Sequence, residues 1–145
     1  ESGRYFIIIS PNNDPGCEAI FEIISSLSND RFHVIPSMRF SYFSELLRNS
    51  GMIAGNSSAG VREAPFLGIP SLDVGSRQRS RSESASVKTV FAEDVQGIKT
   101  IIASEWGKRF ERDSSFGLGN ATNNFIEILE DPVFWELPLQ KHFHE

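Results

Sequence analysis

The sequence has a single cysteine, three histidines and no long apolar run. The lone Cys17 excludes an internal disulfide framework and suits a reducing compartment, and we expect it to be unreactive because no histidine is close to it in sequence. His142 and His144 lack metal-ligand spacing to any partner, so neither a metal nor a cofactor is expected. No apolar stretch approaches the roughly 20 residues of a membrane helix, which favours a cytoplasmic protein without a membrane partner.

Positive charge is also scarce, because 14 lysines and arginines face 19 aspartates and glutamates, for a net charge of −5. That balance argues against a nucleic-acid partner. Arginines do gather at Arg77, Arg79 and Arg81, which leaves room for a small anionic ligand. The length of 145 residues suits one domain with a real core and is too short for two ordinary domains.

Short apolar runs rich in β-branched residues alternate with stretches whose apolar residues recur at helical spacing. Strands are predicted at Arg4–Ile9, Phe32–Ile35, Gly51–Gly55, Ile69–Val74 and Val87–Val90. Helices are predicted near Ala19–Leu27, Phe40–Leu47, Ser57–Phe66, Glu93–Ser104 and Asn120–Leu129.

This order predicts an α/β fold with a doubly wound parallel sheet. In that architecture ligands bind beyond the carboxyl ends of the strands. The first strand is expected to be fully buried, and His33 in the second strand is expected to be a core residue. The polar stretch Gly75–Ser86 is predicted to be a loop.

The two ends of the sequence suggest a piece of a longer protein. The chain does not begin with methionine and enters an apolar run at Tyr5. Residues 132–145 form a tail with several large apolar side chains, too many to lie in water. We therefore expect one domain over residues 1–131 and a tail that packs on this domain or on a neighbouring one.

The stretch Gly55–Pro65, which reads GNSSAGVREAP, follows an apolar strand with an unusual set of small polar residues. A helix that begins at Ser57 or Ser58 would leave its first amides unpaired, and the serine hydroxyls would add further donors. That arrangement suits a phosphate group. A plain helix N-cap, a position that serine fills well, is the alternative.

Charged residues near this stretch have two interpretations. Glu63 does not share a helical face with Ser57, so periodicity leaves it open whether Glu63 contacts a ligand or is solvated like Arg62 beside it. Arg77 follows a strand end, where its guanidinium could clamp a phosphate or lie in solvent. For Arg79 and Arg81 the solvated interpretation is preferred.

Four stretches together resemble the hydrolysing UDP-N-acetylglucosamine 2-epimerases, and the match covers nearly the whole chain. They are SPNNDPG (Ser10–Gly16), MRF (Met38–Phe40), GNSSAGVREAPFLGIPSLDVGSRQ (Gly55–Gln78) and PLQKHF (Pro138–Phe143). That family converts UDP-N-acetylglucosamine and water to N-acetylmannosamine and UDP, for the synthesis of sialic-acid-type sugars. The resemblance implies a Rossmann-like C-terminal domain, one half of a two-domain GT-B architecture.

The resemblance also implies site residues and partners. The implied ligands are UDP and UDP-N-acetylglucosamine, and the implied protein partners are an N-terminal domain of the same chain and further copies in a homo-oligomer. By similarity, diphosphate contacts fall to Ser57 and Ser58, ribose contacts to Glu63, and further UDP contacts to Asn12, Arg77 and the backbone of Met38. The catalytic acid and base are expected in the N-terminal domain.

One segment departs from the family pattern. Phe116–Ala121 reads FGLGNA, with Leu118 where the family carries an aspartate, although Asn120 is retained. No role is assigned to this segment. The other interpretations of the chain are the same half of a non-hydrolysing epimerase or of a UDP-sugar glycosyltransferase, and a nucleotide-binding module that works alone without catalysis.

Overall fold

The computed structural model of the chain describes residues 3–12, 15–27 and 30–136. The chain divides into two compact units, Glu1–Ser50 and Gly51–Glu145. Within the described ranges, both units contain parallel β-strands connected by helices. The predicted α/β fold class with parallel sheets is thereby confirmed.

The first unit is a β–α–β–α segment. Its elements are β1 (Phe6–Ile9), α1 (Cys17–Ser25), β2 (Phe32–Ile35) and α2 (Phe40–Asn49). The two strands run parallel, with Ile9 opposite Ile35. The rings of Phe6 and Phe32 stack with their centroids 5.5 Å apart, so the amino ends of both strands are held together by aromatic packing.

Burial in the first unit differs from the sequence prediction. Strand β1 is not fully buried, because every second residue is exposed, including Ile7. His33 lies opposite Ile7 on the same face of this two-stranded sheet and is also exposed. The prediction of a core histidine is therefore wrong, since the described residues leave this face of the sheet uncovered.

The second unit contains a three-stranded parallel sheet in the order β3-β4-β5. The strands are β3 (Ile53–Gly55), β4 (Ser71–Val74) and β5 (Val87–Val90). Strand β4 lies in the middle, and Leu72 within it and Ile69 just before it are each only 1% exposed. The core of this unit therefore forms around β4.

Short and long helical elements complete the second unit. They are a 3-10 turn (Ser58–Gly60), α3 (Glu63–Phe66), α4 (Val95–Glu105), α5 (Ala121–Glu130) and α6 (Pro132–Trp135). The single helix predicted from Ser57 is thus interrupted. The φ values of Val61 and Arg62, −107° and −116°, depart from those of a regular helix before α3 begins. In the same turn, Gly60 packs so closely on the Ser71 hydroxyl that an added Cβ would lie 2.7 Å from it.

Several predicted boundaries agree with the structure. Strands β2 and β5 begin and end at the predicted residues, and Gly75–Ser86 contains neither a strand nor a helix. The predicted tail, residues 132–145, begins with α6, whereas residues 137–145 lie outside the described residues. In the part of the chain that the structure describes, no helix is long and apolar enough to cross a membrane.

We predict that Gly68→Ala destabilises the second unit. Gly68 has a φ of +67°, and an added Cβ would overlap the carbonyl oxygen of Phe110. Backbone strain and steric overlap together are expected to lower the free energy of unfolding by about 2–4 kcal/mol, measured by urea denaturation. Gly107→Ala is the matched control, because Gly107 has a φ of +77° but open space around it. Equal losses in the two variants would contradict the proposed overlap.

Candidate functional site

The candidate site is built on the carboxyl ends of β3 and β4. These strands are parallel neighbours, with Gly55 opposite Asp73, so the segments that follow them leave the sheet at the same edge. The segment after β3 carries Ser57 and Ser58, and the segment after β4 carries Arg77. Sheet topology therefore brings two of the predicted ligand-binding segments to one edge.

The two serines are exposed at the start of the 3-10 turn. The Ser57 hydroxyl accepts a long hydrogen bond of 3.3 Å from the amide of Ala59, which is the N-cap arrangement considered above. Among the described residues, neither the Ser57 nor the Ser58 amide donates to a backbone carbonyl. The turn therefore presents amide donors and the Ser58 hydroxyl to solvent, as an anion requires.

Glu63 is the first residue of α3, and its side chain is half-buried rather than solvated. One carboxylate oxygen, Oε2, is buried without a hydrogen-bond partner in the described part of the chain. The argument from helical faces does not apply, because no continuous helix joins Ser57 to Glu63. A buried carboxylate oxygen without a donor suits a ligand that brings its own hydroxyl hydrogen.

Arg77 is exposed on the segment after β4, and its neighbour Gln78 fixes that segment in place. Gln78 is only 3% exposed, and its Nε2 donates to the carbonyl of Asn56 at 2.9 Å. Its Oε1 accepts from the exposed Arg81 at 3.3 Å. The hydrogen bond from Gln78 to Asn56 ties the Arg77 segment to the residue directly before Ser57. Arg79 is also exposed, at the rim of an open pocket beside β5.

Sequence reasoning missed both Gln78 and Asp73. Asp73 lies on β4, is 2% exposed, and accepts from the Thr89 hydroxyl through Oδ2 at 3.3 Å. Its Oδ1 is buried without a hydrogen-bond partner among residues 3–12, 15–27 and 30–136. The only sequence signal was an aspartate inside an apolar strand, a position where polar residues are uncommon.

The remaining predicted ligand residues lie in the first unit. Asn12 is exposed after β1, and Met38 is half-buried after β2. The amide of Ser10 donates to the carbonyl of Ile35 at 3.0 Å, so the carboxyl ends of these two strands are adjacent. Thus the structure groups Asn12 with Met38 in one unit, and Ser57, Ser58, Glu63 and Arg77 in the other.

Metal-ligating side chains do not cluster in the described ranges. No group of three or more histidine, cysteine, aspartate or glutamate side chains there could hold a metal ion. The arrangement in the second unit instead combines amide and hydroxyl donors, an exposed arginine and an unpaired carboxylate oxygen. Chemically, this set can bind a molecule that carries both an anionic group and a hydroxyl group.

Comparison with known proteins identifies relatives. The profile of a family described as UDP-N-acetylglucosamine 2-epimerase matches residues 2–130. A protein of that name from Neisseria meningitidis is 39% identical over 98% of this chain, which spans 38% of that relative. The Escherichia coli polysialic acid biosynthesis protein P7 is 28% identical over 87% of the chain, which spans 34% of that relative. A hydrolyzing UDP-N,N'-diacetylbacillosamine 2-epimerase from Legionella pneumophila is 34% identical over 56% of the chain, which spans 22% of that relative.

We predict that Gln78→Leu destabilises the second unit by about 1–3 kcal/mol, because it leaves the Asn56 carbonyl without its donor. The measurement is the free energy of unfolding in urea. Arg81→Ala is the matched control, since it removes the exposed partner of the same side chain and should change stability by less than about 0.5 kcal/mol. A Gln78→Leu variant as stable as wild type would show that the tie between the two segments is energetically unimportant.

Proposed function

This chain belongs to the UDP-N-acetylglucosamine 2-epimerase family, and we propose that it forms the UDP-binding part of a hydrolysing enzyme of that family. In the proposed reaction, UDP-N-acetylglucosamine and water give N-acetylmannosamine and UDP. In the proposed architecture, residues 1–131 are a C-terminal Rossmann-like domain, and residues 132–145 pack toward an N-terminal domain of the same protein.

The observation that carries the proposal is the buried, unpaired Oε2 of Glu63. The amide of Arg62, the residue before Glu63, donates to the carbonyl of Ser58. The backbone just before Glu63 is therefore hydrogen-bonded to the serine turn. We infer that Glu63 accepts from the ribose hydroxyls of UDP. A hydrogen bond from a neutral hydroxyl to a carboxylate is stronger than one between two neutral groups, which makes this contact selective.

The serine turn and Arg77 would hold the diphosphate. Exposed amides and hydroxyls at Ser57 and Ser58 supply neutral donors, and the Arg77 guanidinium supplies a positive charge with planar donor geometry. Gln78 keeps the two segments together through its bond to Asn56. We further assign UDP contacts to Asn12 and to the backbone of Met38, which follow the carboxyl ends of two adjacent strands.

The proposed chemistry needs more than a nucleotide site. A base removes the proton at C2 of the sugar, and UDP leaves from C1 with the bonding electrons, which gives a glycal. Water then adds across the double bond, with its hydroxyl at C1 and a proton at C2, and free N-acetylmannosamine results. We assign the acid and base groups to the proposed N-terminal domain, and UDP binding to this chain supplies the leaving-group side.

Two relatives support the finer assignment. The Legionella pneumophila relative is named as a hydrolyzing 2-epimerase, and the Escherichia coli relative is named for polysialic acid biosynthesis. A hydrolysing enzyme that supplies a precursor of sialic-acid-type sugars is compatible with both names. The non-hydrolysing epimerase, which would keep UDP attached to its product, is the competing assignment.

For Glu63 we predict discrimination between UDP and 2′-deoxy-UDP. Wild type should bind UDP more tightly by roughly 1.5–3 kcal/mol, because loss of a ribose hydroxyl leaves the carboxylate without its donor. Glu63→Ala should bind both nucleotides with nearly equal, weakened affinity. Isothermal titration calorimetry measures all four affinities.

Glu127→Ala is the matched control for this experiment, since Glu127 is an exposed glutamate on α5 of the same unit. It should discriminate between the two nucleotides as wild type does. If wild type binds UDP and 2′-deoxy-UDP equally, Glu63 is not a ribose ligand. If wild type binds neither nucleotide, the proposed function itself is wrong.

The product of the reaction distinguishes a hydrolysing from a non-hydrolysing epimerase. With UDP-N-acetylglucosamine as substrate, the protein that contains both proposed domains should release free N-acetylmannosamine and UDP, whereas residues 1–145 alone should release neither above background. Proton NMR of the reaction mixture separates the free sugar from the UDP-linked sugar. A UDP-linked N-acetylmannosamine product would assign the enzyme to the non-hydrolysing type, and turnover by residues 1–145 alone would overturn the proposed division of roles.

A further inference from the structure

The segment Phe116–Ala121, to which the resemblance gives no role, begins with a ring that contacts the candidate site. The guanidinium carbon of Arg62 lies 5.0 Å from the centroid of the Phe116 ring, within cation–π distance. Arg62 directly precedes Glu63, whose Oε2 is buried and unpaired. The aromatic ring is therefore tied to the immediate neighbour of the proposed ribose ligand.

This contact is the last of a series along residues 110–116, which we call the strap. The strap runs back along residues 62–68, and both hydrogen bonds and ring contacts join the two segments. Going along the strap, Phe110 donates to the Gly68 carbonyl, Arg112 lies over the Phe66 ring, Asp113 donates to the Pro65 carbonyl, and Phe116 contacts Arg62. Each step forward on the strap matches an equal step backward on its partner segment, so the position of Phe116 follows from an ordered register.

A local turn in the strap sets the direction in which Phe116 leaves it. The Asp113 carboxylate accepts from the amide of Ser115 at 2.8 Å and also from the Ser115 hydroxyl. These hydrogen bonds lower the pKa of the Asp113 carboxyl below its ordinary value, and the one from the Ser115 hydroxyl has the larger effect. The amide of Gly117 closes the turn by donating to the Ser114 carbonyl at 2.8 Å. Phe116 therefore lies inside a hydrogen-bonded turn.

Arg62 precedes Glu63 in the sequence, and its exposed guanidinium is a cation that could compete with a ligand for the Glu63 carboxylate. A guanidinium that reaches a carboxylate forms a charge-assisted hydrogen bond with it. In the described part of the chain, no ion pair joins Arg62 to Glu63. The Arg62 guanidinium is instead held on the Phe116 ring.

We propose that Phe116 is a positioning residue for the nucleotide site: its ring holds the Arg62 guanidinium, so that the Glu63 carboxylate keeps an oxygen for the ligand's hydroxyl. This inference rests on the proposed function, because it takes Glu63 as the ribose ligand. It gives the Phe116–Ala121 segment a role through its first residue. That role does not need the aspartate that Leu118 replaces.

The proposal predicts a pattern of UDP affinities that loss of structure would not produce. In Phe116→Leu, Arg62 is released and pairs with Glu63, so UDP should bind about two- to five-fold more weakly, the factor that corresponds to breaking one surface ion pair. Phe116→Tyr keeps a ring and should bind as wild type does. The double variant Arg62→Gln/Phe116→Leu removes the competing cation and should recover wild-type affinity.

Phe125→Leu is the matched control, because Phe125 is an exposed phenylalanine on α5. It should leave UDP affinity unchanged. If Phe116→Leu binds UDP as wild type does, or if the double variant binds no better than Phe116→Leu, the proposal is overturned. The calorimetric titrations used for Glu63 measure these affinities.

A measurement without UDP separates this proposal from the proposed function. Exchange of the Arg62 Nε proton with water, followed by NMR, should be several-fold slower in Phe116→Leu, because pairing with Glu63 protects it. Adding Glu63→Gln to that variant should restore the faster exchange. Unchanged exchange in Phe116→Leu overturns the positioning role even if UDP binds. Slowed exchange in a protein that binds no UDP supports the Arg62 contact while the proposed function fails.

Discussion

Strand β4 pairs with a parallel neighbour along both edges, and the candidate site depends on this double pairing. Ser71 lies opposite Ile53 of β3 and opposite Val87 of β5, with the apolar core of the second unit packed around the strand. Because all three strands run in one direction, the segments after β3 and β4 leave the sheet side by side. Only then can the buried Gln78 amide reach the Asn56 carbonyl and hold the Arg77 segment beside the serine turn.

Local sequence was sufficient where an element is a short β-rich run between turn-forming residues. For that reason the ends of β2 and β5 were predicted correctly. Local sequence was insufficient where residues that are distant in sequence pack against each other. Gly60, for example, packs against the Ser71 hydroxyl on β4, and no periodic pattern near Gly60 predicts that contact or the break in the helix predicted from Ser57. The prediction that His33 is a core residue was wrong because an apolar strand does not reveal whether other elements cover each face of its sheet.

The same division applies to the site. Strand order alone predicted that Ser57, Ser58 and Arg77 would follow strand ends at one edge of the sheet. Gln78 could not be predicted, because a glutamine in a polar loop has no local signal for burial, and its burial comes from the packing of that loop on the turn after β3. The unpaired oxygen of Glu63 likewise depends on how α3 packs and not on the sequence around it.

A buried carboxylate oxygen without a donor costs stability, and in the proposed role of Glu63 that cost would favour a ligand that supplies a hydroxyl donor. Asp73 carries a similar cost but keeps a hydrogen bond from Thr89. At Glu63 a hydroxyl from a ligand would offset the cost, so that binding and folding stability become linked through this one atom. Arg62, the residue before Glu63 in the sequence, carries a cation that could offset it without any ligand. In the proposed arrangement, the contact of Arg62 with the Phe116 ring would therefore matter more than the small energy of one cation–π pair, because it would leave the carboxylate to be satisfied by what the protein binds.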